Sequence, residues 1–332
     1  MKAVKAVGVG GPEVLTMLEI EVPVPGPGQV LIKGELAAVN FADINARRGT
    51  YRADKRGDFQ VDLGLEIYGH VAALGDGVTG FAIGQRVAGF ALSGAYAQYV
   101  LADQGLIWSV PDGVSDSQAA AFPTVGQTAF HLLTSAARLL PGESVMITAA
   151  GGGVGSTAIQ LARLLGAGPV LAVAGSSQGI FLAHRLGADF SLDVSERGLE
   201  DAMAALEGLS KVDIVLDGVG GKLRQQAFRC ISPFGRMVQF GNSSGLPEEL
   251  LPLREMRERC IGVFGFHLGL LRSERKEALK RSATQLLEWL STGQLNIAID
   301  DILPLSLAAQ AHTRLENRQV RGKLLLSVSE ES

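Results

Sequence analysis

Val145-Met146-Ile147-Thr148-Ala149-Ala150-Gly151-Gly152-Gly153-Val154-Gly155 decides how the rest of the chain is read. Val145 to Thr148 are apolar or β-branched and read as a buried strand. A glycine run follows, and Ser156 to Gly166 carries Ile159, Leu161, Ala162, Leu164 and Leu165 at helical spacing. Strand, tight glycine turn and helix form the entry to a dinucleotide-binding βαβ unit. In such a unit Gly152 lets the backbone approach a pyrophosphate, Gly155 lets the helix lie close on the strand, and the first N–H groups of the helix face the phosphates. Ala150, Gly152, Gly153, Val154 and Gly155 are therefore the candidate phosphate cradle. Ala150 occupies the first glycine position of the usual fingerprint, so context carries the reading. A second strand, Pro169 to Ala174, arrives at the distance the fingerprint needs.

Working outward, the chain has 332 residues, enough for two domains, and 47% hydrophobic content supports ample core. A net charge of -4 without a long basic run argues against nucleic acid as a partner. Two cysteines, Cys230 and Cys260, make neither a disulfide framework nor a four-thiolate metal site, and fit a reducing, cytoplasmic setting. No long apolar run points to export or membrane insertion.

Residues 1 to about 110 read as short strands separated by glycines, which suggests a small barrel-like β fold. Two helices are expected between Ser115 and Leu139, with a break between them. From Glu143 onward strands and helices alternate: strands at 144–149, 169–174, 190–193, 212–216 and 235–240, helices between them. Alternation of this kind implies a parallel sheet with helices on both faces. Ile261 to Phe266 reads as a further strand, Ser273 to Thr292 as a long amphipathic helix, Ser306 to Asn317 as a helix, and Lys323 to Val328 as a closing strand. That tail has too little core of its own and is expected to return to the first domain.

The order of these parts resembles the medium-chain dehydrogenase/reductase superfamily, and within it the zinc-independent quinone oxidoreductase group that includes zeta-crystallin. The resemblance rests on Gly10-Gly11-Pro12-Glu13-Val14-Leu15, Val39-Asn40-Phe41-Ala42-Asp43, Arg48-Gly49-Thr50-Tyr51, Gly64-Leu65-Glu66-Ile67-Tyr68-Gly69, Gly84-Gln85-Arg86-Val87, Gly94-Ala95-Tyr96-Ala97, Ala149 to Gly155, Leu186-Gly187-Ala188-Asp189 and Phe240-Gly241-Asn242-Ser243-Ser244-Gly245. It implies an α/β fold: a GroES-like β-rich catalytic domain at 1–124, a Rossmann doubly wound parallel sheet at 125–264 that binds NADP, and a C-terminal return at 265–332. It also implies NADPH as cofactor, a small-molecule quinone or enone as substrate, and a homodimer paired through the apolar strand Cys260 to Phe266.

Zinc members of the superfamily carry a cysteine near position 40 and Gly-His-Glu where Gly64-Leu65-Glu66 stands here. Asn40 and Leu65 replace those ligands, so no metal is expected. Asp43, Glu66 and His70 are the remaining candidate ligands and read as structural residues. For the cofactor, an NAD-preferring unit places an acid after its second strand to hold the ribose 2′-OH. No acid occurs from Ser156 to Ala188, and Ser176 and Ser177 stand where a 2′-phosphate would lie. The family's Lys near Gly179 and Tyr near Val194 are missing. By resemblance Arg318 approaches the 2′-phosphate, Thr128 lies near the nicotinamide amide, and Gly241, Asn242 and Ser243 line the nicotinamide. Asn40, as an amide donor to a carbonyl oxygen, and Tyr51, as a hydroxyl donor, are the candidate catalytic residues. By the same resemblance Phe264 and Phe266 stand where some relatives place a positively charged substrate contact, which implies an apolar mouth that favours flat hydrophobic acceptors. Two other functions compete. One is an enoyl-thioester reductase of the polyketide or fatty-acid type, using Arg47, Arg48, Arg52, Lys55 and Arg56, expected as exposed cations beside Tyr51, for the carrier's phosphate. The other is a non-catalytic NADPH-binding protein.

Overall fold

Why the chain ends where its first strands begin is visible in the computed structural model, which describes residues 1–50, 60–92, 94–195, 198–247 and 250–329. Two compact units result: Met1–Gln127 with Leu270–Ser332, and Thr128–Gly269.

The first unit follows from alternating apolar residues. In chain order it has β1 (Lys2–Ala6), β2 (Leu15–Glu19), β3 (Gln29–Val39), helix α1 (Phe41–Arg47), β4 (Val61–Asp62), β5 (Glu66–Leu74), β6 (Arg86–Ala91) and β7 (Tyr99–Ser109), then helix α2 (Asp116–His131). β3 pairs with β5, β5 with β6, β6 with β7, and β7 again with β3. The four strands thus close on themselves, which removes edges and yields the barrel-like core expected of so many short strands. Val30, Ile32, Ile67, Val87 and Ile107 fill it.

The second unit continues with β8 (Val145–Thr148), α3 (Gly153–Leu164), β9 (Val170–Ala174), α4 (Ser177–Arg185), β10 (Phe190–Asp193), α5 (Leu199–Ala204), β11 (Val212–Asp217), α6 (Gly221–Arg229), β12 (Ile231–Gln239), α7 (Leu253–Glu258) and β13 (Gly262–Gly265). The strands form one parallel six-stranded sheet in the order β10-β9-β8-β11-β12-β13. Every residue of β8 and β9 is buried, as a parallel sheet covered on both faces requires. The order reverses between β8 and β11, and ligands of such sheets bind beyond the strand ends at that point.

Helix α8 (Leu268–Glu274) leads back to the first unit, followed by α9 (Lys276–Ser291), β14 (Ile299–Pro304), α10 (Ala308–Glu316) and β15 (Lys323–Ser327). β15 pairs antiparallel with β3, Leu324 opposite Val39, so the tail returns as expected. Three details differ from the sequence reading. One helix, α2, runs through Pro123 where two were expected, and it ends in a π-turn at Leu132–Ala136. The Thr124 N–H just after the proline donates to Glu66 Oε2 at 2.6 Å, so this part of the helix has a side-chain partner. The expected helix 273–292 is divided at Arg275. β14 was not anticipated, because Asp300 and Asp301 mask its alternation; Arg314 neutralises both at 2.6 and 2.7 Å.

Candidate functional site

The glycine turn between β8 and α3 is shaped by what its residues lack. A Cβ on Gly155 would stand 2.4 Å from Ala149 O and 2.7 Å from Ala150 Cα, both backbone atoms, so only glycine lets α3 seat on the turn. A Cβ on Gly151 would stand 2.8 Å from Gly179 Cα, which presses the start of α4 against the turn. Gly152 is different: its Cβ would meet nothing but Ala149 O at 3.3 Å and otherwise points into open space. Ala149 itself adopts a left-handed φ of 50°, a strained state for a residue with a Cβ, at a cost of about 1–2 kcal/mol. Gly152 caps α3, and the first N–H bond to return to the helix is Ser156 N to Gly152 O at 2.9 Å. The N–H groups of Gly153, Val154 and Gly155 precede that bond, and an oxyanion beyond Gly152 would take them.

At the end of β9, Ser176 caps α4 by accepting Gly179 N at 3.2 Å. Its own hydroxyl proton stays available for donation. Gly179 is buried, and a Cβ there would crowd Ala174 and Ser176 at 3.2 Å. The helix presses so near to the turn that a lysine at this position would force local adjustment.

Residues that the sequence reading missed hold the loops after β11 and β12. Asp217 and Arg224 are buried and paired, Nε to Oδ2 at 2.6 Å. Asp217 Oδ1 accepts the Thr148 hydroxyl at 3.0 Å and Val219 N at 3.1 Å, and Arg224 Nη2 donates to Gly241 O at 2.8 Å. One ion pair thus ties the ends of β8, β11 and β12 together, and with them Gly241 to Ser243. Ser243 N donates to Gly218 O at 3.0 Å, while the Asn242 amide is engaged with Leu246 O and Ser244 Oγ. The signal was an acid ending a buried strand with an arginine seven residues on, but a buried pair of this kind is indistinguishable in sequence from two surface charges.

The first unit holds a buried polar cluster around Glu66. Lys323 Nζ, on β15, donates to Glu66 Oε1 at 2.9 Å, Asn40 Oδ1 at 2.8 Å and Val39 O at 3.0 Å. Asn40 Nδ2 donates to Glu66 Oε1 at 2.9 Å and Ala38 O at 3.2 Å. Both amide hydrogens of Asn40 are therefore engaged within the protein, so donation to a substrate carbonyl requires one of them to leave its present partner. Lys323 also bears on whether these residues fit zinc. An ammonium with three oxygen partners stands at the carboxylate that would face a metal, and Leu65 offers no ligand atom, so these residues do not fit zinc. The other candidate ligands are occupied: Asp43 accepts Asn40 N, Gly64 N and the Tyr96 hydroxyl, and His70 pairs with Glu35 at 2.9 Å.

Asp43 opens a second chain of contacts. Tyr96 OH lies 3.0 Å from Asp43 Oδ2 and 3.1 Å from His312 Nε2, and His312 Nδ1 lies 3.1 Å from Arg47 Nη1. Arg47 also donates to Gly10 O and pairs with Glu316. Arginine donates only, so His312 accepts at Nδ1 and donates from Nε2, and Tyr96 donates to Asp43. Burial pushes the Asp43 carboxyl up to about 6 against the hydrogen bonds that lower it. Burial, helped by Arg47, pushes His312 down to about 3 and keeps it neutral.

Two family models match this chain, the alcohol dehydrogenase GroES-like domain over residues 26–112 and the zinc-binding dehydrogenase over residues 153–284. The quinone oxidoreductase of Pseudomonas aeruginosa is 32% identical over 98% of this chain and 99% of its own. The chain belongs to the quinone oxidoreductase group of the medium-chain dehydrogenase/reductase superfamily. Within the group, a 2-haloacrylate reductase of a Burkholderia species is 30% identical over 96% of each chain. The Escherichia coli quinone oxidoreductase, solved in complex with NADPH, matches with a TM-score of 0.88 at 28% identity over 98% of this chain and 100% of that one. In this member of the group, the residues expected at the cofactor fall as follows. Ala150, Gly152 to Gly155, Ser176, Ser177 and Gly241 to Ser243 all lie at or just beyond the ends of β8, β9 and β12. Thr128 is buried on α2. Arg318 is exposed in the first unit, just past α10, with a left-handed φ of 57° that favours glycine or asparagine. Tyr51, Arg52, Lys55 and Arg56 lie outside the described residues. No helix among the described residues is long and apolar enough to cross a membrane.

Proposed function

We propose that this chain is an NADPH-dependent, zinc-independent oxidoreductase that reduces quinones or α,β-unsaturated carbonyls. The turn at Ala149–Gly155 carries the reading: Gly151 and Gly155 are sterically obligatory, while Gly152 faces free space before unpaired helical N–H groups. NADPH, when bound, supplies the hydride. Gly153, Val154 and Gly155 donate to its pyrophosphate, and Ser176 and Ser177 to its 2′-phosphate, with no acid in the sequence from Ser156 to Ala188. Arg318 adds a cation for the same phosphate. The Asp217–Arg224 pair sets the Gly241–Ser243 loop along the nicotinamide. Asn40 and Lys323 keep Glu66 compensated, and Tyr51 donates to the acceptor oxygen as charge builds there. The relatives support the substrate class, since a quinone and a haloacrylate both present a double bond conjugated to a carbonyl. We further infer a homodimer paired through β13, working in the cytoplasm, where Cys230 and Cys260 stay free thiols.

The test is loss of nicotinamide absorbance on adding quinones, enals and enones to protein and NADPH, after dialysis against a chelator. Turnover that needs an acceptor and survives chelation is expected. Equal or better catalytic efficiency with NADH would sink the cofactor assignment, and turnover restored only by zinc would sink the metal assignment. Tyr51→Phe should lower kcat by roughly 10²-fold, the scale of a lost proton donor; unchanged kcat would remove that role.

A further inference from the structure

Arg272, on α8, is a half-buried cation with no carboxylate partner among the described residues. Its guanidinium lies over the Phe90 ring, Cζ 4.3 Å from the centroid, and Nη2 donates to Ala91 O at 3.1 Å. Nε is buried and has no hydrogen-bond partner among the described residues. Buried charges are ordinarily paired, and a stacked arginine still needs an acceptor in the plane of its fork. Glu66 is the acid that acts on it. That carboxylate is already spent, with Oε1 on Lys323 and Asn40 and Oε2 on Thr124 N.

The neighbourhood has further open capacity. Phe90 stands opposite Glu66 in the β5–β6 ladder, and the Trp108 ring meets it edge-on at 5.7 Å. Trp108 also packs on Phe122 at 5.6 Å, two residues before Thr124. Trp108 Nε1 and Thr124 Oγ1 are buried and, among the described residues, unpartnered. Arg272 and the indole N–H of Trp108 on Phe90, and the Thr124 hydroxyl two residues past Phe122, thus have hydrogen-bonding capacity unused among the described residues, near the Glu66–Lys323 pair.

We propose that Arg272 receives a carboxylate on the acceptor, so that this protein acts on conjugated acceptors bearing an acid group. The proposal rests on the reading of the chain as an NADPH-dependent reductase and narrows its substrate class. An arginine suits the task because its planar fork matches a carboxylate. Reduction adds a hydride to the alkene carbon β to the carbonyl, moves the π electrons to the carbonyl oxygen and takes up one proton, drawn overall from solvent. NADPH becomes NADP+, and the acid group is unchanged.

The probes are trans-4-oxopent-2-enoate, its methyl ester, and 1,4-benzoquinone as an uncharged acceptor. The ester is intrinsically the more electrophilic, so a preference for the acid reports recognition. Wild type should favour the acid over the ester by roughly ten-fold or more in kcat/KM. Arg272→Gln should abolish that preference through KM for the acid and leave KM for benzoquinone unchanged. Its melting temperature should hold or rise, because an unpaired buried charge is removed; an arginine with a purely structural role would cost stability on removal. The acid should also raise the melting temperature of NADP+-loaded wild type but not of loaded Arg272→Gln, a readout that does not depend on turnover. Equal use of acid and ester by wild type overturns the proposal, as does an equal effect of Arg272→Gln on all three acceptors. Failure to bind NADPH at all would instead overturn the function proposed above.

Discussion

Lys323 illustrates how one buried cation can organise a polar cluster. Its ammonium compensates a fully buried Glu66 and orients Asn40 with it. Removing one partner of such a pair leaves an uncompensated charge, so Lys323→Met should destabilise the protein by about 3–5 kcal/mol. The double variant Lys323→Met with Glu66→Gln should recover most of that loss. Urea unfolding of both variants checks it, and a small loss in the single variant would show that Glu66 simply takes up a proton. None of this was legible in sequence. Lys323 sits in an ordinary Arg-Gly-Lys-Leu stretch, and nothing local reveals that it meets Glu66, 257 positions earlier. The partners of the Asn40 amide were hidden for the same reason, since they come from β3 and β5. The same limit applies to Arg224 and Asp217.

Among the elements, the β8–α3 turn was the most legible, since strand, glycine run and helix are all encoded locally. Its glycines nevertheless make different predictions, and only the coordinates separate them. Gly152→Val should leave the fold intact and abolish NADPH binding, because its Cβ enters free space. Gly155→Ala should cost about 1–3 kcal/mol through overpacking against Ala149 and Ala150. Melting temperature and cofactor affinity, measured together, check both; a Gly152→Val protein that binds NADPH normally would remove the turn as phosphate cradle. Less legible elements had non-local causes. Helix α2 runs through Pro123 beside a carboxylate that takes the next N–H. β14 forms because β15 offers it a parallel partner and Arg314 neutralises its two aspartates. Hydrophobic periodicity registers neither.

At the scale of the whole molecule, stability should respond to pH through two buried groups of opposite sign. Asp43 is raised to about 6 from 3.8, so the stability it contributes is present at low pH and lost as pH rises through 6. His312 is lowered to about 3 from 6.5, so the stability of its neutral form is present above 6.5 and lost as pH falls toward 3. Between pH 7 and 5 the two offset each other in wild type. A His312→Asn variant should therefore become more stable, relative to its own value at pH 7, as pH falls to 5. Melting curves across that interval decide it; a variant that tracks wild type would refute the assignment. Oligomeric state is the other global expectation. β13 is the outer strand of its sheet, with Phe264 exposed, and pairing would cover that edge. A monomer by light scattering at micromolar concentration would count against the homodimer.

The return of the tail also sets an order of events during synthesis. The first unit begins with Met1 but cannot complete its sheet until β15 has left the ribosome. Until then Glu66 lacks its lysine, and β3 has an open side along Leu36 to Val39. The second unit, Thr128–Gly269, is continuous in sequence and can fold as soon as it emerges. Residues 1–127 are therefore completed only after the second unit has been made, and they stay an unsealed β-rich segment until β15 follows.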